Sequence, residues 1–495
     1  MVLASGILLS GCKQTDEPIV DSSEIPPEEI TSAAIEVSLI PGSGPSYPAD
    51  INDYLREKAR EMNLPSYEDA GGNLVIEKPA AEGFEYVPPV VIETSTASAS
   101  GQGILEIDYE SNRIYTHSES IDAPRNLGIA TNLAILKNAK NCGGISAVFI
   151  NEDTSNPAGG GATAFSAKGA PYLVGFCGTN GIGVYTSSPA AELLQSYKPL
   201  ALTQPKGQYA YVIVAEGFPE TLNGYDISPV DAISRIFAAA GTSGVYFELA
   251  SFEAASLPLT VPNTAVAVVV LDEYEKKKFS SVFKAVSKDY TKSLPDGYDS
   301  VRMQLIDTRV PSAVLSDEST DSVVAYLYAL FNSGKNSEDQ LAAAKTKDQT
   351  TGNYPVCVNR LSLSAGEFRS QISISGDDEQ TSLEITQQQD IGEFTGMTIE
   401  KTGSLSGYKT DKDGDFATGI NELLKATASD TKGFIKLKTP GELGQIKANN
   451  PEAEMLSLGW DVQTGTAYNE FVSLKDVEAP AEAVIDFIYR LAATQ

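Results

Sequence analysis

Residues 127–137 have helical spacing but are apolar on every side, so this segment is stable only where other elements cover it all round. Strand-like apolar runs flank it, at 73–77, 90–93 and 104–107 before it and at 145–150 after it. A fully covered helix among such strands predicts an α/β layer structure. Another helix is expected from Asp50, where Ile51, Tyr54, Leu55, Ala59 and Met62 fall at helical spacing behind an aspartate cap. After a loop near 204–207 the pattern restarts. Strands are expected at 209–214, 245–249, 265–271 and 301–306, helices at 229–240, 273–290 and 322–331, and alternating runs at 357–363 and 370–374. The last segment holds helices near 416–425 and 481–491 and a strand around 455–458 that completes the first sheet. The expected architecture is α/β, a mixed-sheet domain from 33–205 plus 407–495, with an α+β unit, 206–406, inserted into it. No tandem repeat is evident in the sequence.

The start of the chain reads differently. Val2-Leu3-Ala4-Ser5-Gly6-Ile7-Leu8-Leu9 is a short apolar run, too short to span a bilayer, and it leads into Ser10-Gly11-Cys12 before the chain turns polar. Leu9-Ser10-Gly11-Cys12 resembles a bacterial lipobox. That resemblance implies a signal over 1–12, acylation of the Cys12 thiol, and a mature chain lipid-anchored outside the cytoplasm, at a bacterial membrane or cell surface. Residues 13–32, rich in Pro, Glu, Asp, Ser and Thr, read as a flexible acidic tether.

Charge and histidine content exclude several function classes. The net charge of −30 makes the surface repel phosphate backbones and anionic headgroups, so nucleic acid is not an expected partner and the membrane is met through the anchor alone. His117 is the single histidine, so a site built from two or three imidazoles is impossible. It sits in an irregular stretch and is expected to have no special role. Cys142, Cys177 and Cys357 show no paired spacing, which argues against a disulfide framework or a zinc knuckle.

Several collinear segments carry a family resemblance. They are Gly72-Asn73-Leu74-Val75-Ile76-Glu77-Lys78-Pro79-Ala80 with Pro89-Val90-Val91-Ile92, then Asn126-Leu127-Gly128-Ile129-Ala130, Glu216-Gly217-Phe218 and Ser406-Gly407-Tyr408. In this order they resemble the aminoacyl-histidine (Xaa-His) dipeptidases of the di-zinc exopeptidase superfamily, from about Asp50 to the C-terminus. The resemblance implies a metallopeptidase-like α/β domain whose inserted α+β unit is a lid, which in relatives carries the dimer contact.

It also implies where the chemistry of such a family would sit. The first His-x-Asp motif falls on Ser95-Thr96-Ala97, so Ser95 and Ala97 replace a ligand and its orienting carboxylate. The bridging Asp-Asn falls on Pro124-Arg125, and the Glu-Glu pair falls on Glu152-Asp153, where the carboxylates survive. The next aspartate ligand falls on Cys177, the histidine that meets the scissile carbonyl on Leu222, a substrate-binding asparagine on Leu259, and the last histidine ligand on Ala467. A catalytic zinc needs about three protein ligands plus water, and Asp153 with Cys177 cannot hold two ions. Without metal, Glu152 has no acidified water to deprotonate. The expectation is a catalytically inactive, dipeptidase-like surface lipoprotein that holds no metal or other cofactor, whereas active relatives use zinc. It would bind a peptide, solute or surface protein, or assemble as a homodimer or a larger array. Two alternatives stay open: a hydrolase using a remodelled cleft with Arg125, Glu152, Asp153 and Cys177, and a peptide- or solute-binding lipoprotein.

Two smaller signals remain. Asp411, Asp413 and Asp415 with Glu422 have the carboxylate spacing of a calcium loop, but Phe416 stands where the turn glycine belongs, so a polar loop capping the next helix is expected. The glycine run in 156–162 lacks the Lys-Ser/Thr of a phosphate cradle and reads as a flexible loop.

Overall fold

The computed structural model describes residues 25–40, 48–97, 103–117, 121–151, 160–218, 227–256, 260–294, 298–332, 356–364, 366–376, 378–437, 440–464 and 470–493. The helix foreseen at 127–137 runs over Ala123–Asn138 and is buried along nearly its whole length. It lies on a mixed eight-stranded sheet whose spatial order is Ser66–Glu68, Leu74–Lys78, Ile145–Ile150, Val90–Ser95, Tyr172–Gly178, Glu454–Gly459, Val184–Tyr185, Phe434–Ile435. Gly128 permits the close approach: a Cβ there would collide with Thr94 Oγ1 on the sheet. The late strand Glu454–Gly459 lies inside this sheet, parallel to Tyr172–Gly178.

The expected tether ends earlier than its composition indicates. Pro27–Ser38 is a helix with proline in its first turn and Glu28 and Glu29 at its positive end, and it buries Ile30, Ala34 and Val37 against the central helix. The Ile25 amide donates to Glu482 Oε1 at 2.9 Å, which fixes the entry to that helix. The next helix begins at Pro48, so Asp50 lies within it and is not its cap.

A second eight-stranded sheet has the order Arg302–Thr308, Tyr209–Glu216, Ala265–Leu271, Glu248–Ala255, Val356–Ser364, Glu367–Gly376, Ala190–Pro199, Thr398–Leu405. It begins at Ala190, ahead of the junction expected at 205/206, and has its own hydrophobic core. Its strand at Glu248–Ala255 falls later than the 245–249 read from the sequence.

A repeat is present although none is evident in the sequence. Tyr209–Glu216, helix Pro229–Thr242, Glu248–Ala255, Ala265–Leu271, helix Glu273–Ser293 and Arg302–Thr308 form a β-α-β-β-α-β unit with spatial strand order 4-1-3-2. Ala190–Pro199, helix Asp317–Asn332, Val356–Ser364, Glu367–Gly376, helix Asp378–Thr395 and Thr398–Leu405 form a second unit of the same order. The two meet where Glu248–Ala255 pairs antiparallel with Val356–Ser364. The first unit is inserted after the first strand of the second, which hides the duplication from any search for tandem similarity. Among the described residues no helix is long and apolar enough to cross a membrane.

Candidate functional site

In the first sheet, Ile145–Ile150, Val90–Ser95, Tyr172–Gly178 and Glu454–Gly459 are neighbours and run parallel, so their carboxyl ends share one edge. Open α/β sheets bind ligands at that edge. The N-terminus of the central helix reaches the same place, where Thr94 Oγ1 donates to the Pro124 carbonyl at 2.6 Å.

The residues there are spent on one another. The Thr96 amide and hydroxyl both donate to the Ile150 carbonyl at 2.9 Å, and Ser95 Oγ accepts from the Ala97 amide at 3.1 Å. Arg125 is completely buried. Its Nε donates to the Thr96 carbonyl at 3.2 Å, Nη1 to Asn126 Oδ1 at 3.3 Å and Nη2 to the Ile40 carbonyl at 3.5 Å. Burial pushes its pKa down while the nearby Asp122 opposes that shift. A cation in the first turn also works against the helix dipole, so the carbonyl acceptors must compensate both costs. Cys177, half-buried at the end of Tyr172–Gly178, lies beside Gly441.

Thus Ser95, Ala97, Pro124, Arg125 and Cys177 come to one edge. Cys12, Glu152, Asp153, Leu222, Leu259 and Ala467 lie outside the described residues. So does most of the glycine run; its described end is not a free loop, because the Gly161 amide donates to the Asn151 carbonyl and Asn73 Nδ2 donates to the Gly161 carbonyl, both at 2.9 Å.

A polar row beneath this edge escaped the sequence reading. Ladder pairing sets Val148, Glu93, Gly175, Ser457 and Tyr185 side by side across five strands. Glu93 and Ser457 are wholly buried. The Tyr408 hydroxyl lies over the row, donating to the Tyr185 carbonyl at 3.2 Å and standing 3.4 Å from Ser457 Oγ. Burial, then the proximity of Cys177 and Glu93, drives the Tyr408 pKa far upward, so its phenol stays protonated. The available signal was Glu93 itself, an acid directly after the apolar Val90-Val91-Ile92 in a strand buried at every position.

His117 is exposed at the end of Arg113–Thr116, with its ring edge-on to Tyr115 at 4.9 Å. In that sheet Thr116 faces Glu470, whose carboxylate accepts from the Ile121 amide at 2.8 Å. The acidic loop does not cap its helix as expected. Asp411 accepts from the Asp413 amide at 3.1 Å, Gly414 is the N-cap without a side-chain bond, and Glu422 lies 3.6 Å from Arg490. Among the described residues, no three His, Cys, Asp or Glu side chains converge in a way that could hold a metal ion.

No family model matches the chain. It is 20% identical over 475 residues to the cytosol non-specific dipeptidase of Escherichia coli (strain K12), covering 92% of this chain and 96% of that one. Among solved structures it is similar to an aminoacylhistidine dipeptidase from Vibrio alginolyticus, with a TM-score of 0.58 at 17% identity, covering 95% and 98% of the two chains. A tripeptidase from Staphylococcus aureus gives a TM-score of 0.52 at 13% identity, covering 95% and 100%. These likenesses show a peptidase-like mixed α/β fold along nearly the whole chain.

Proposed function

We propose that this chain is a dipeptidase-like protein without a metal centre, anchored outside the cytoplasm through Cys12 and retained to bind a peptide, solute or surface protein or to assemble at the cell surface. The observation that carries the reading is the buried Arg125 guanidinium, held against the Thr96 carbonyl where the resemblance puts the start of a di-zinc site. A fixed, buried cation there repels a divalent ion, and the repulsion is poorly screened away from water. Ser95, Ala97 and Pro124 offer no charged donor to offset it. Of the marked ligand positions only Asp153 and Cys177 could still coordinate, which is too few for a zinc pair. The shared carboxyl edge of the four parallel strands, where Cys177 is half-buried, is where a ligand would be held. The anchor rests on Leu9-Ser10-Gly11-Cys12 and the apolar run before it.

The test is elemental analysis of the purified protein, with dipeptide hydrolysis assayed on the same sample after addition of zinc, manganese or cobalt. The expected result is no stoichiometric metal and no turnover. Bound metal with turnover would overturn the reading. Radiolabelled palmitate incorporated by the wild type and lost in Cys12→Ala checks the anchor.

A further inference from the structure

The central helix Ala123–Asn138 packs into an apolar core, yet two polar side chains on it, Thr131 and Asn132, are wholly buried. Among the described residues, neither Oδ1 nor Nδ2 of Asn132 makes a hydrogen bond, and nor does Thr131 Oγ1. Comparable side chains do find partners. Asn126 and Asn138 on the same helix donate to the Ile121 and Ala134 carbonyls at 2.8 and 2.9 Å. On other helices Thr31, Thr291, Thr395 and Thr418 each donate to the carbonyl four residues back, the usual outlet for a helical threonine, which Thr131 does not use.

Thr131 and Asn132 follow Gly128 by three and four residues, and a Cβ on Gly128 would meet Thr94 and the Phe176 carbonyl of the first sheet. Residues at those spacings share a flank of a helix, so both side chains belong to the helix–sheet interface. The protein groups there are committed elsewhere. Ile92, Val174, Phe176 and Leu456 are apolar members of the same core, and Thr94 Oγ1 already donates to the Pro124 carbonyl. The backbone of Val90–Ser95 pairs on both sides, with Ile145–Ile150 and with Tyr172–Gly178.

A buried amide that bonds to nothing forfeits its hydration without return, and native folds satisfy nearly every such group through protein or ordered water. We infer that water is bound between the central helix and the first sheet, hydrogen-bonded to the Asn132 amide and the Thr131 hydroxyl. The ligand of these groups must both donate and accept, because the amide presents an acceptor oxygen and two donor hydrogens. It must also be neutral, since neither side chain carries a charge to hold an ion in an apolar surround. Water meets both conditions and is small enough to lie within a packed interface. Asn132 follows Arg125 by about two turns on the same flank, so the bound water fixes the rotation of the helix that presents Arg125 at the strand edge.

A high-resolution crystal structure of the purified protein tests this, together with deuterium magnetic relaxation dispersion of the solvent, which counts internal waters of long residence. The crystal structure should show a water within about 3.2 Å of both the Asn132 amide and the Thr131 hydroxyl. The dispersion amplitude should fall in the variant Thr131→Val/Asn132→Leu. That double variant removes every orphaned polar atom at nearly constant shape, so its urea midpoint should equal or exceed that of the wild type. Thr131→Val and Asn132→Leu alone each leave the water with fewer partners and should unfold at lower urea than the double variant. A crystal structure in which both side chains bond directly to protein groups, or one with no water beside them, would overturn the inference, and so would a folded double variant with the wild-type dispersion amplitude. The wild-type crystal structure decides the matter even where a variant fails to fold.

Discussion

Gly175 stands directly opposite Glu93 in the parallel ladder, and a Cβ on Gly175 would come within 2.8 Å of Glu93 Oε2 and 2.9 Å of Leu443 Cδ1. The missing side chain is the space that the buried carboxylate occupies. Gly175→Ala should therefore cost about 1–3 kcal/mol by overpacking. Gly241 lies near the end of its helix, and a Cβ there would meet nothing within 4 Å, so its change to alanine should instead gain up to about 1 kcal/mol. Urea midpoints for the two variants check the pair, and equal shifts would contradict it.

Arg125 ties the end of Val90–Ser95 to Ile40 beyond the N-terminal helix. Removing it takes a charged donor from the buried Thr96 carbonyl and the half-buried Ile40 carbonyl and empties a fully buried site, so Arg125→Ala should cost about 2–4 kcal/mol in equilibrium unfolding. Arg125→Lys should recover only part of this, because an ammonium on a flexible stem cannot reproduce the planar fork that reaches the Thr96, Asn126 and Ile40 oxygens. A loss below about 0.5 kcal/mol for the alanine variant would show that the guanidinium holds nothing together.

What the sequence disclosed follows from how local each signal is. Ile145–Ile150, apolar except at Ser146, and Ala265–Leu271, apolar throughout, were legible to the residue because such short apolar runs bounded by polar or turn residues specify buried strands without help from the rest of the chain. Pro26-Pro27-Glu28-Glu29 misled in the other direction. Its composition is that of a tether, but proline and acids are also what a helix start prefers, and only the docking of Ile30, Ala34 and Val37 decides between the two. The site edge was legible through motif order, which brought Ser95, Pro124, Arg125 and Cys177 together. The row Glu93, Gly175, Ser457 and Tyr185 was not, because it is created by strand register between segments hundreds of residues apart. The duplicated second sheet was hidden for the same reason: strand order is set by pairing and leaves no local trace.

The N-terminal helix offers a direct comparison between apolar packing and a surface charge. Ile30 is fully buried, whereas Glu29 meets Lys137 at 3.0 Å with the lysine largely exposed. Ile30→Ala should cost about 2–4 kcal/mol, and Glu29→Gln less than about 1 kcal/mol. If denaturant titration gave the larger loss for Glu29→Gln, packing would not be what docks this helix.

The pH dependence follows from carboxylates that the fold makes harder to ionise. Burial raises the pKa of Glu478, helped by Glu482, Asp476 and Glu28, and burial raises that of Asp486 against the opposing Arg490. For an acid whose folded pKa lies above its unfolded one, the native state binds more protons within that interval. Unfolding free energy then falls as pH rises from the ordinary carboxylate range, about 4, toward the raised folded values. Asp317 runs the other way, lowered by Lys206, but this pair is exposed and contributes little. The chain should accordingly be more stable at mildly acidic pH than at neutrality, and Glu478→Gln should flatten that slope by removing the group that must give up its proton. Denaturant unfolding at intervals from mildly acidic pH to neutrality checks both statements. A wild-type stability that rises with pH, or a Glu478→Gln slope as steep as the wild type's, would show that these buried acids do not govern it.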